Sequence, residues 1–117
     1  MTQQVQVDTE VQLAQLQAVT ALMGPMYAMQ QTCQDWLSNK GLPAEVAAKY
    51  TGAMFHAVAD DAKVATAEGD AAGFSHLIAE QTPGGLNEGA IAMLKEASVF
   101  TAYEAALDAT LLRLQGL

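Results

Sequence analysis

The sequence predicts an all-α domain of about six helices, and three observations carry that expectation. Apolar residues recur at three- and four-residue spacing along nearly the whole chain. Glycine and proline cluster between those periodic stretches, at Gly24-Pro25, Gly41-Leu42-Pro43 and Pro83-Gly84-Gly85. Gln4-Val5-Gln6-Val7 alternates with the period of a strand, but so short a segment cannot build a sheet by itself.

Residues 1–8 read as an extended lead-in and 9–117 as a single helical domain. Asp8 is the expected N-cap of a first helix from about Thr9 to Leu22, with Glu10 placed to complement its dipole and Leu13, Leu16, Thr20 and Met23 on one stripe. Gly24-Pro25 separates it from a second helix, for which Pro25 suits the first position because its missing N–H is not needed there. Met26, Met29, Cys33 and Trp36, with Leu37 beside them, form one apolar face that ends at Lys40-Gly41. That face reads as core rather than as a cofactor box.

Pro43 restarts the chain as its longest helix, running to Gly69 over about 25 residues or ~38 Å. Val46, Tyr50, Ala53, Met54, Ala57 and Val64 make its stripe, and Phe55 projects from another side, so cover on two sides is expected. Gly52 within it costs about 1 kcal/mol relative to alanine, which a closely packed neighbouring helix would explain. Asp70 is placed to cap a short helix with Phe74, Leu77 and Ile78, weakened by Gly73 in its first turn. Asn87 is placed to cap the next, from Glu88 to about Ala97. Ser98 is a cap or a break before the last helix, with its stripe of Phe100, Tyr103, Leu107, Thr110, Leu111 and Leu114.

Composition narrows the function classes. Apolar residues make up 51% and charged residues 15% of the 117, a high apolar share for a small monomer and rich in alanine and methionine, so burial beyond one subunit's core is expected. The net charge of −8, with five lysines and arginines forming no basic stripe, argues against nucleic acid. Cys33 is alone and makes no intramolecular disulfide, and Met1-Thr2-Gln3-Gln4 lacks the pattern of a signal peptide, so a cytoplasmic protein is expected. No apolar run approaches the roughly 20 residues that span a bilayer, so no membrane partner is expected.

Catalytic chemistry is sparse. There is no Gly-x-Gly-x-x-Gly and no phosphate loop, so the chain alone is expected to bind no cofactor. His56 with Asp60, and His76 with Glu80, share helix faces and read as surface ion pairs rather than as metal ligands. A metal-binding bundle using both histidines is the weakest reading. Cys33, among methionines, reads as a small buried apolar residue rather than a nucleophile. The stretch Thr82-Pro83-Gly84-Gly85-Leu86-Asn87-Glu88 is either a connector or a cradle for an anion, because N–H groups at a helix start lack intrahelical acceptors.

From about Glu10 onward the order of motifs resembles the C-terminal domain of pyrroline-5-carboxylate reductases. Gly24-Pro25-Met26-Tyr27 looks like the end of the family's Ser-Gly-Ser-Gly-Pro-Ala-Tyr segment, and Gly41-Leu42-Pro43 with Ala47 looks like its Gly-Leu-Pro helix start. Thr82-Pro83-Gly84-Gly85 looks like its Ser-Pro-Gly-Gly-Thr-Thr turn, and Ala106-Leu107, Ala109, Arg113 and Leu117 are similar to its closing helix. The resemblance implies an interlocked homodimer and an enzyme that reduces 1-pyrroline-5-carboxylate to L-proline with NAD(P)H, the proline-biosynthesis reaction. It also implies that the nucleotide belongs to a preceding Rossmann domain that this sequence does not contain, so the isolated chain is expected to be inactive. The substrate-binding residues it implies are Thr82, Gly84, Gly85, Leu86 and Asn87, with substrate bound only when a Rossmann domain completes the pocket.

The departures point elsewhere. Leu86 and Asn87 stand where the family has threonines, and Ala21 and Met23 stand for its serines. A lost hydroxyl contact costs on the order of 1 kcal/mol, which leaves open a related imine or a 2-oxo compound as substrate, or no catalysis. The alternative reading is a stand-alone helical oligomerisation or protein-interaction module.

Overall fold

In a computed structural model of the chain, which describes residues 9–81 and 83–116, every regular element is helical. Helix α1 covers Glu10–Thr20, α2 Met23–Asn39, α3 Ala44–Ala65, α4 Gly73–Ala79, α5 Leu86–Glu96 and α6 Val99–Leu114, with a short 3-10 turn at Ala67–Gly69. The all-α class is thus as the periodicity predicts, with no strand among the described residues. The lead-in over residues 1–8, including the expected cap Asp8, lies outside the described residues.

The helix ends follow local chemistry. Thr9 caps α1, its hydroxyl oxygen accepting from the Gln12 N–H at 3.1 Å. The chain breaks at residues 21 and 22, and α2 starts at Met23, two residues before the expected Pro25. Pro25 still lies in the first turn, where its missing N–H is harmless. At the other end of α2 the Gly41 N–H donates to the Ser38 carbonyl at 3.0 Å and the Leu42 N–H to the Leu37 carbonyl at 3.2 Å, with Gly41 at φ +107°. This paired closure needs a residue that tolerates positive φ, which is why glycine ends the helix there. Ser98 also has positive φ, at 62°, and makes no side-chain cap, so it breaks the chain between α5 and α6 rather than capping α6.

The helices divide into two compact units, one formed by residues up to Pro25 together with those from Leu94 onward, the other by Met26–Met93. In the first, α1 packs on α6. Shallow clefts join Glu10 and Val11 to Leu114 at one end, and Leu22 to Val99 and Ala102 at the other, so the two helices run antiparallel. The buried face of α1 is Ala14 and Ala18, not the expected Leu13, Leu16, Thr20 stripe. Small side chains at i and i+4 let the helix axes approach, and Leu13 and Leu16 are left exposed on another side.

The second unit repeats this pattern. Helix α3 packs on α4, with Ala47 and Thr51 buried and Phe55 half-buried along one face. The expected stripe of Val46, Tyr50, Met54 and Val64 is exposed. Nor does α2 bury any residue, so its Met26, Met29 and Trp36 are not core within this chain. Among the described residues, nothing outside the backbone of α3 itself lies within 4 Å of where a Cβ on Gly52 would sit, so the closely packed helix expected there is not observed. The close approach lies instead at Gly73, where a Cβ would collide with the Ala65 carbonyl. That contact seats the start of α4 against the end of α3, and only glycine fits.

Candidate functional site

The turn between α4 and α5 is the segment on which the anion-binding expectation rests. Helix α4 ends at Ala79, and Gln81 ties the turn back to it by donating from Nε2 to the Leu77 carbonyl at 3.0 Å. Thr82 lies outside the described residues. Gly84 has φ +74°, and the Gly85 carbonyl accepts from the Gly89 N–H at 3.1 Å as the first bond of α5. The helix therefore starts at Leu86, two residues before the expected Glu88.

This earlier start changes the roles of the side chains. Asn87, expected as a cap, is the second residue of α5, and its Nδ2 donates to Gln81 Oε1 at 2.7 Å. Glu88 takes the reaching-back role, its Oε1 accepting from the Gly84 N–H at 3.2 Å. A carboxylate three residues past a helix start that returns to a preceding N–H is close to a capping box. The spacing Gly85-x-x-Glu88 is the signal that could have found it. Leu86 is 94% exposed and brings no polar group.

Together Glu80, Gln81, Gly85, Leu86 and Asn87 line a cleft of about 370 Å³. Two donors of the turn, the Gly84 N–H and the Asn87 amide, already serve acceptors of the chain itself. The first N–H groups of α5, at Leu86, Asn87 and Glu88, have no acceptor within the helix and are the groups able to hold an anion. Of the five expected substrate-binding residues, Gly85, Leu86 and Asn87 line this cleft, Gly84 adjoins it as the partner of Glu88, and Thr82 is the one not described.

Other candidates carry less chemistry. Cys33 is a free, half-buried thiol in an apolar cleft of about 420 Å³, walled also by Trp36, Leu37, Tyr50 and Met54. Lys40 Nζ stands 5.5 Å from the centre of the Trp36 ring, a cation–π contact at the rim. Neither His56 with Asp60 nor His76 with Glu80 forms an ion pair; the one among the described residues is Lys49 with Glu45, at 3.3 Å and largely in solvent. No group of three or more His, Cys, Asp or Glu side chains is placed to hold a metal among the described residues. No helix among them is long and apolar enough to cross a membrane.

No protein-family model, curated protein or solved structure matches the chain.

Proposed function

We propose that this chain is the dimerisation and substrate-pocket domain of a pyrroline-5-carboxylate reductase-like, NAD(P)H-dependent oxidoreductase. The observation that carries the reading is the distribution of side chains over the helices. The buried residues are Ala14, Ala18, Ala47, Thr51 and Gly73, while Leu13, Leu16, Trp36, Tyr50 and Met54 stand exposed, and among the described residues no large side chain is fully buried. Exposed apolar surface of this extent marks an interaction face, and a second copy interlocking with the first would cover it. The positions of the motifs support the same reading. Gly24-Pro25 opens α2, Gly41-Leu42-Pro43 joins α2 to α3, and Pro83-Gly84-Gly85 precedes α5.

In such an enzyme a hydride passes from the nicotinamide to the carbon of the ring C=N bond and a proton reaches the nitrogen. The nucleotide would be held by a Rossmann domain. This chain's part is to hold the substrate, with the first N–H groups of α5 facing its carboxylate. By itself it supplies no hydride.

A second reading, a helical oligomerisation module without catalysis, is favoured by one specific feature. Glu88 places a carboxylate on the Gly84 N–H, and Leu86 offers no hydroxyl, so the turn is less open to a substrate carboxylate than its glycines suggest.

Three experiments test these readings, and the last separates them. Sedimentation at micromolar concentration is expected to give twice the 12.3 kDa chain mass, and a monomer would overturn both. Tyr50→Glu, at a side chain 66% exposed within the chain, is expected to keep the helical circular dichroism and to weaken the dimer by about 100-fold, because an interface that buries an unpaired charge loses several kcal/mol. The chain joined to the nucleotide-binding domain of a pyrroline-5-carboxylate reductase is then assayed for cyclic-imine reduction. Activity selects the reductase reading; a stable, inactive dimer selects the module.

A further inference from the structure

We draw no further inference here: the strongest candidate, the apolar cleft between α2 and α3 walled by Trp36, Tyr50 and Met54 with the partnerless Thr51 hydroxyl buried beside it, is an uncovered face, and nothing in the structure shows what covers it.

Discussion

The junctions on either side of α3 and the turn before α5 solve the same problem, redirecting a helical chain, by different means. At Gly41-Leu42 the end of α2 is closed by two backbone hydrogen bonds, and at Gly73 the start of α4 is set by backbone contact with Ala65. The side chains that help at the second junction bond only to nearby backbone, Thr66 Oγ1 donating to the Ala62 carbonyl at 2.8 Å and Asp70 Oδ1 accepting from the Ala72 N–H at 3.0 Å. The turn over residues 81–88 is instead tied by side chains, Gln81 to Leu77, Asn87 to Gln81 and Glu88 to Gly84. A junction closed by backbone contacts and by side chains bonded to their own turn can do little except hold its angle. One closed by polar side chains can exchange those partners for a ligand, because each bond it gives up is one a ligand can replace.

The comparison breaks most visibly at Gly73. Alanine there collides with the Ala65 carbonyl, and because that carbonyl is backbone and a Cβ has no rotamer to turn away, the two helices must separate, at a cost of about 3 kcal/mol. Thermal unfolding of Gly73→Ala is expected ~10 °C below the parent. An unchanged midpoint would mean that α4 does not rest on α3. Gly41→Ala comes next. A side chain at φ +107° is strained by about 2 kcal/mol, so a fall of ~6 °C is expected, and Gly41→Asn should recover part of it because asparagine tolerates positive φ.

Much of this is legible in the sequence, and the differences have two physical origins. Gly41 and Pro43 state where α2 stops and α3 starts, because few other residues fit those backbone angles. The Met26, Met29, Cys33, Trp36 spacing states that α2 has an apolar face. It does not state whose surface covers that face, since burial against the same chain and against a second copy select the same residues. Periodicity therefore points to the stripes of α1 and α3 as core, whereas the buried apolar residues are Ala14, Ala18 and Ala47. Alanine carries almost no amphipathic signal, yet it is what lets two helices approach.

At the turn before α5 the difference has another cause. Asn87 is a favoured cap by residue type, but a carboxylate at Glu88 that reaches back to Gly84 starts the helix at Leu86 and carries Asn87 into the first turn. Residue preference identified a helix start to within two positions. Which side chain would close it depended on the backbone path of Gly84 and Gly85, and glycine reveals little of its path in a sequence.

Within the turn the expected effects are smaller and more specific. A double-mutant cycle between Gln81→Ala and Asn87→Ala should give a coupling of about 0.5–1 kcal/mol from the 2.7 Å amide contact in solvent. Zero coupling would leave the turn held by Glu88 alone.

Glu88→Gln gives the smallest change in stability and the most information about function. Glutamine keeps an acceptor for the Gly84 N–H but removes the negative charge from the first turn of α5, so about 0.5 kcal/mol of dipole stabilisation is lost. The same change removes the charge that repels a carboxylate from the N–H groups of Leu86 and Asn87. If the turn is a substrate-carboxylate site, titration of the ¹⁵N-labelled protein with a cyclic carboxylate such as tetrahydro-2-furoate should shift the Gly85, Leu86 and Asn87 amides, with affinity about threefold higher for Glu88→Gln, as expected for a gain of roughly 0.6 kcal/mol. If the turn only connects two helices, the amides stay still in both proteins while the stability loss remains. The two kinds of junction are told apart by that outcome: a turn that binds gains affinity as it loses stability, and a turn that only redirects the chain loses stability alone.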